Sequence, residues 1–220
     1  FIIIFFCSIL VEAQEIKFGL KAGICSPGFS LYNNVLNNKD FNVKGRFTLS
    51  YSANAIIKLK SDSWWELRIE PGYIKKGGAL EFTYRFDNIN QPRNFFCTSE
   101  YSNIELPILL NFNLKQNLYL TAGIGPEYTI STEHIIEVIS RKTGLNILPT
   151  LNNKINCSAI IGGEFYFNEY YSVALRYSLG FTKLMAKDLV ADTYYPYRYT
   201  PIITSVFMNC FQLSLIYNLQ

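Results

Sequence analysis

The sequence has few charged residues and little that suggests a nucleic-acid-binding domain or a metal site. Charged residues make up 17% of its 220 residues, against roughly 25% in ordinary soluble domains. The net charge is only +3, and the Lys and Arg residues do not gather into the basic surface that nucleic acid requires. One histidine and the lack of any C-x-x-C pair argue against zinc. We therefore expect no nucleic-acid partner, no metal and no cofactor.

Long hydrophobic runs are missing after residue 13. No later stretch holds eighteen consecutive apolar residues, so the sequence predicts no transmembrane helix. Residues 1–11 form an apolar run of signal-peptide length, and Val11-Glu12-Ala13 follows it as a typical signal-peptidase site. We predict an N-terminally incomplete signal peptide at residues 1–13 and a single domain at 14–220; a buried first strand is the alternative.

Four cysteines follow the predicted cleavage site, namely Cys25, Cys97, Cys157 and Cys210. An exported chain can form disulfides, because they persist in oxidising compartments. The spacings of these four residues do not dictate a pairing, so the pairing stays open at this point.

The remaining sequence alternates apolar and polar residues with period two and has no helical period. Residues 16–24, for example, place Ile16, Phe18, Leu20, Ala22 and Ile24 on one face. Alternation of this kind is typical of half-buried β-strands. Eight segments show it, at residues 16–24, 46–59, 64–73, 103–112, 118–128, 157–167, 171–181 and 211–219.

The connections between these segments alternate in length. Short turns are predicted at residues 60–63, 115–117 and 168–170, and long loops at 26–44, 75–99, 132–154 and 186–202. Short periplasmic turns and long extracellular loops are typical of outer-membrane barrels. The sequence therefore predicts an all-β fold, an eight-stranded antiparallel up-and-down transmembrane β-barrel in the outer membrane, with both ends of the domain on the periplasmic side.

Charged residues lie singly on the polar faces of the segments, together with seven glycines that leave room for long side chains. Side chains just fill the interior of an eight-stranded barrel, so we predict an internal ion-pair network in which Glu105 and Glu127, on adjacent strands, lie near inward Arg or Lys residues. A soluble lipocalin-like barrel with an apolar ligand cavity is the alternative, since alternation alone does not say which face points inward. The predicted lumen residues are Lys17, Lys21, Arg46, Glu66, Arg68, Glu70, Glu105, Glu127, Glu164 and Arg176.

Several segments resemble a known family. The stretches beginning at Lys17 (KFGLKAGI), Asn103 (NIELPILLNF), Tyr119 (YLTAGIGPEY), Leu175 (LRYSLGF) and Phe211 (FQLSLIYNL) are similar to the outer-membrane β-barrel proteins called porin-family or PorT-type in Bacteroidota. The resemblance implies an outer-membrane barrel, with some members linked to protein secretion and gliding. It carries no catalytic motif.

For the function, we expect a structural or binding barrel that acts through its extracellular loops and is not an open pore. Loops presented by a rigid scaffold often carry function, and Tyr gives large contact areas at low entropic cost. The expected partners are outer-membrane lipid and envelope or secretion proteins, and the expected state is a monomer. The candidate binding residues in the last long loop are Tyr194, Tyr195, Tyr197, Arg198 and Tyr199.

A lipid-modifying enzyme is the alternative, because general-base chemistry commonly recruits histidine. His134 is the single histidine, and Ser131, Glu133 and Glu137 lie near it in the sequence. A lone histidine at the junction of a strand and a loop is usually an ordinary surface residue, so we expect no enzymatic activity.

Overall fold

The computed structural model describes residues 15–32, 41–60, 64–84, 93–137, 145–146, 154–182, 184–185, 190–191 and 205–219. Every regular element in these ranges is a β-strand. None of the described segments forms a helix that is long and apolar enough to cross a membrane. The strands are β1 (Glu15–Tyr32), β2 (Phe41–Arg46), β3 (Ser50–Lys60), β4 (Trp65–Ile69), β5 (Gly72–Tyr84), β6 (Arg93–Glu105), β7 (Ile108–Lys115), β8 (Leu118–Glu137), β9 (Leu145–Asn146), β10 (Ile155–Tyr166), β11 (Tyr171–Gly180), β12 (Leu184–Met185), β13 (Val190–Ala191) and β14 (Ser205–Leu219).

The strands form a closed antiparallel ring with eight positions, which confirms the predicted fold. The positions are occupied in chain order by β1, β2 with β3, β4 with β5, β6 with β7, β8, β10, β11 and β14. Each pairs with its neighbours in sequence, and β14 pairs with β1 over fifteen residue pairs from Phe18 with Leu219 to Tyr32 with Ser205. In the part of the ring next to the short turns, each described position pairs on both sides, as a barrel in a bilayer requires.

Proline residues explain two of the interruptions within a ring position. Pro71 separates β4 from β5 and Pro107 separates β6 from β7, because proline has no N–H to give to the sheet. Their carbonyl groups still accept cross-strand bonds, from the Ala55 N–H to Pro71 and from the Glu70 N–H to Pro107, each at 2.9 Å. The strands are therefore interrupted at these points while the cross-strand bonding continues.

The two faces of the ring differ sharply in exposure. On β1, Phe18, Leu20 and Ile24 are 53–57% exposed on the outside, whereas Lys21 between them is 3% exposed. Exposed large apolar side chains recur on seven of the eight positions of the ring, and among the described residues only the position of β4 and β5 lacks them. An apolar band of this extent is unusual on a soluble monomer, and it is the surface that hydrocarbon solvates, which argues against the lipocalin-like alternative.

Aromatic pairs mark both ends of the apolar band. Beside the short turns, Trp64 stacks on Phe112 with ring centroids 5.2 Å apart, and Tyr171 lies 5.3 Å from Tyr217. At the opposite end, Tyr51 lies 6.0 Å from Tyr73. Aromatic side chains favour the membrane–water interface because they combine apolar rings with polar groups.

The two predicted short turns that the structure describes, near residues 115–117 and 168–170, match the prediction, but the predicted long loops were too long. The chain passes from Lys115 to Leu118 through a tight turn, as expected, whereas β5 and β6 extend together to Tyr84 and Arg93. Similarly, β1 continues to Tyr32 and β8 to Glu137, inside the predicted loops at 26–44 and 132–154. The run Lys75-Lys76-Gly77-Gly78 resembles a loop in sequence, yet the structure pairs it with Ser99–Ser102 of β6. The strands therefore continue beyond the apolar band.

Two consecutive glycines on β10 allow a matched test of which face points inward. A Cβ atom on Gly162 would lie against the Leu175 carbonyl oxygen and 2.7 Å from Cγ of Arg176, whereas one on Gly163 has its nearest neighbour at 3.7 Å. We expect Gly162→Ala to lower the free energy of unfolding by about 1–3 kcal/mol through overpacking, and Gly163→Ala to leave it unchanged or raise it slightly. Urea unfolding in detergent micelles measures both; equal losses would contradict the assigned faces.

Candidate functional site

A carboxylate at the centre of the ring is bound by cations from two other strands. Glu70, which lies at the break between β4 and β5, is fully buried. Its carboxylate accepts a bond of 2.6 Å from Nζ of Lys21 and two bonds of 2.6 and 2.8 Å from the guanidinium of Arg176. Two-pronged pairs of this kind are among the stronger hydrogen bonds in proteins, so Glu70 ties β1 and β11 to the opposite side of the lumen.

Arg68 links this centre to the periplasmic half of the lumen. Its guanidinium donates to Glu164 and, at 2.8 Å, to Glu66, and it lies 3.6 Å from Glu70. The two acceptors have further donors of their own, since Ser172 donates to Glu164 at 2.6 Å and the Asn111 amide donates to Glu66 at 2.7 Å. Burying these charges is therefore compensated by several bonds to each group, as a dry site requires.

A second group of charges lies above the centre, toward the long loops. Glu105 and Glu127 are direct cross-strand neighbours on β6 and β8, and two like charges in this position repel each other. Lys76 forms an ion pair with Glu127, while Glu105 accepts a bond of 2.8 Å from the Asn54 amide. The expected cation beside Glu127 is thus present, and the hydrogen-bond partner of Glu105 is an amide.

Eight of the ten predicted lumen residues are buried in the ring, and two lie at its ends. The Lys17 side chain is 42% exposed and pairs with Glu15, near the start of β1. The Arg46 side chain is 57% exposed and pairs with Glu81, because β2 extends beyond the apolar band. The structure therefore does not bring these two residues into the central network. The eight buried residues are Lys21, Glu66, Arg68, Glu70, Glu105, Glu127, Glu164 and Arg176.

Two further lysines, Lys58 and Lys76, belong to the network but were not among the lumen residues predicted from the sequence. Lys58 donates to Asn218 at 2.5 Å and to the Tyr166 hydroxyl at 2.9 Å. Its position on the polar face of β3 would have sufficed to predict that it points into the lumen. Lys76 fell in a segment that was predicted to be a loop. Glu81 is also buried but pairs with Arg46 outside the central network. We call the other ten buried charges among the described residues the lumen cluster: Lys21, Lys58, Arg68, Lys76, Arg176, Glu66, Glu70, Glu105, Glu127 and Glu164.

The lumen cluster balances its own charge and fills the space inside the ring. Its five cations match its five carboxylates, so the cluster is neutral without bound ions. The cavity beside it, lined in part by Lys21, Lys76, Glu105 and Arg176, has a volume of only about 10 Å³. That is close to the minimum needed for one water molecule. Chemically, the arrangement is suited to sealing the ring and joining its strands.

The other candidate residues are placed only in part. The backbone of His134 lies on β8 opposite Ser99, and Ser131 and Glu133 lie opposite Ser102 and Glu100. Tyr194, Tyr195, Tyr197, Arg198 and Tyr199 lie outside the described residues, as do residues 1–13. Among the residues that the structure describes, no group of three or more His, Cys, Asp or Glu side chains could hold a metal ion.

Comparison with known proteins gives matches to barrels of similar extent. Ail of Yersinia pestis shares 9% identity and aligns over 94% of this chain and 100% of its own, with a TM-score of 0.44. OprG of Pseudomonas aeruginosa shares 10% over 93% of this chain and 96% of its own, with a TM-score of 0.48. The outer membrane protease OmpT of Escherichia coli shares 9% over 94% and 98%, also with a TM-score of 0.48.

No curated protein matches the chain. The family described as "Outer membrane protein beta-barrel domain" matches residues 12–186, which is well over half of the sequence and includes the central charges of the lumen. The protein therefore belongs to the outer membrane protein beta-barrel domain family and is a small barrel of the outer membrane.

Proposed function

We propose that this protein is a sealed outer-membrane scaffold, which works through the segments it displays outside the cell and not by conducting solutes or by catalysis. The observation that supports this proposal is the filled lumen. Arg68, Glu70 and Arg176 are 0–3% exposed, and both arginines form ion pairs with Glu70 inside the ring. A conducting barrel would need a continuous aqueous path at this position. Eight-stranded barrels have interiors that side chains fill, while open channels belong to larger barrels.

Opening such a lumen would be costly. A solute that crossed the centre would have to separate Glu70 from Lys21 and Arg176, leaving buried charges without partners. Breaking a buried pair typically costs about 3–5 kcal/mol, and this centre has several linked pairs. A rigid and neutral interior instead provides a stable base for extracellular segments, and such segments often carry the binding function of a scaffold.

The partners in this proposal are outer-membrane lipid on the apolar face and envelope or secretion proteins on the displayed segments. The tyrosine-rich stretch that contains Tyr194, Tyr195 and Tyr197 is the first candidate for protein contact, since Tyr contributes large contact areas. The similarity of the β7 and β8 segments to PorT-type proteins favours a partner in protein secretion. We propose a monomer, because the part of the ring next to the short turns is paired on both sides and offers no free edge for strand exchange.

The direct test of the sealed lumen is conductance in planar lipid bilayers. We expect the purified wild-type protein to insert without steady ohmic current, while a large porin inserted in the same membrane conducts. A steady current that scales with the amount of wild-type protein would contradict the proposal and favour a pore.

The non-catalytic part of the proposal has a separate test in cells. Lipid A and phospholipid profiles are compared between wild type and a His134→Ala strain, with matched protein levels in the outer membrane. We expect identical profiles. A change in lipid composition that follows His134 would support the lipid-modifying alternative.

A further inference from the structure

Two buried thiols meet where the ring closes. Cys25 on β1 and Cys210 on β14 are 1% and 2% exposed, and together with Ile74 they form one buried cluster. The strand register places Cys25 opposite Gln212 and Cys210 opposite Pro27, so the cysteines are diagonal neighbours on adjacent strands. Both are free thiols and lie on the same buried face of the sheet. The first and last strands of the barrel therefore carry neighbouring buried thiols.

The compartment and the position of the pair favour oxidation. A barrel of the outer membrane is assembled from the periplasm, where disulfides form and persist. Cys157 is only partly buried, on β10, which is not adjacent to β1, and its backbone N–H is bonded to Thr182. Among the cysteines that the structure describes with their side chains, Cys25 and Cys210 are thus the two that meet.

We propose that Cys25 and Cys210 form a disulfide that joins the first and last strands of the barrel. In this step the two thiols lose two protons and two electrons, and a bond forms between their sulfur atoms. The oxidant is a protein or small-molecule disulfide of the periplasm; its own S–S bond breaks, and it leaves as two thiols after thiol–disulfide exchange.

The surroundings of the pair allow this bond to form. Diagonal neighbours on a flat sheet are farther apart than a disulfide prefers. The twist of adjacent strands shortens one diagonal, and these two thiols already share one buried cluster. The cavity of about 10 Å³ in the lumen is lined in part by Cys210 and Ile74. It leaves room for a small rotation of the side chains as the sulfur atoms approach.

The bond has a specific consequence for assembly. Cys25 and Cys210 lie near opposite ends of the sequence and come together only when β14 pairs with β1. The disulfide would therefore form after closure and hold the closed ring. Because cross-linking distant residues restricts the unfolded chain, the oxidised barrel should resist unfolding more than the reduced barrel.

The test begins with wild-type protein isolated from outer membranes in the presence of a thiol-blocking reagent. After digestion without reductant, we expect a peptide containing Cys25 linked to one containing Cys210, lighter by two hydrogen atoms than the two separate thiol peptides. Added reductant should release both as thiols. Recovery of both residues as blocked free thiols, or of either one linked to Cys97 or Cys157, would overturn the proposal.

Serine variants give an independent readout on the folded protein. Reductant should lower the urea midpoint of wild type and of the control Cys157→Ser, but should not change that of Cys25→Ser or Cys210→Ser. An equal effect of reductant on all four proteins, or on none, would count against the bond. If a variant fails to assemble, the peptide mapping of the wild type still decides the question.

Discussion

Replacing Glu70 by glutamine is expected to produce the largest loss of stability among conservative substitutions in the lumen. The change keeps the size of the side chain but removes the charge that Lys21 and Arg176 both contact at 2.6 Å. Two buried cations then lack their common partner, and breaking a buried pair typically costs about 3–5 kcal/mol. Urea unfolding and refolding in lipid vesicles or micelles measures this loss directly.

The matched control is Glu15→Gln at the start of β1. Glu15 and Lys17 also form an ion pair, at 3.1 Å, but their side chains are 49% and 42% exposed. Exposed pairs are worth about 0–1 kcal/mol, so this variant should unfold almost like wild type. If Glu70→Gln were as mild as Glu15→Gln, the centre of the lumen would have to be hydrated.

The second large effect is expected on the outer face, where Ile124→Arg should cost about 2–4 kcal/mol in a bilayer, since a cation near the midplane loses its hydration. Ile124 is 49% exposed and lies between Ile108 and Ala159 on the neighbouring strands. It is placed midway along the apolar part of β8, between the turn before Leu118 and the aromatic end at Tyr128. Refolding into lipid vesicles, with Ile124→Ala to subtract the loss of packing, measures the effect of the charge.

The control for this prediction is an Arg substitution on the same face but closer to the membrane surface. Leu118 lies on the same face of β8 and is 42% exposed, but it directly follows the short turn. Arg near the interface costs only about 0–1 kcal/mol, so Leu118→Arg should be much milder than Ile124→Arg. Equal effects of the two Arg variants, or an Ile124→Arg no worse than Ile124→Ala, would mean that this face does not contact hydrocarbon.

The ring and its faces could be predicted from sequence because strand alternation is a local property. Residues such as Leu20, Lys21 and Ala22 show which side chains share a face, and closure is expected because a bilayer cannot satisfy the unpaired backbone groups of an open edge. The ends of β5 and β6 could not be predicted in this way. The alternation of apolar and polar residues stops around Gly77 and Gly78. The two strands stay paired there through the backbone hydrogen bonds between them.

The ion pairs within the lumen could not be predicted from the local sequence pattern, because they join residues that are far apart in the sequence. Arg176 bonds to Glu70 across 106 positions of sequence, and Lys21 does so across 49. Which residues meet depends on the stagger of the strands around the ring and on the breaks at Pro71 and Pro107. The sequence predicted a balanced set of inward charges, but the specific pairs and the roles of Lys58 and Lys76 required the three-dimensional register.

The most direct measurement of the central claim, that the lumen is sealed by a dry and self-neutralising set of charges, is the salt dependence of the Glu70→Gln effect. Salt at about 1 M shortens the screening length to roughly 3 Å and weakens exposed pairs, but buried pairs are screened much less. We predict that the difference in unfolding free energy between wild type and Glu70→Gln is the same at about 0.1 M and about 1 M salt. A difference that shrinks toward zero at the higher concentration would show that water and ions reach the lumen cluster, and would contradict the sealed barrel.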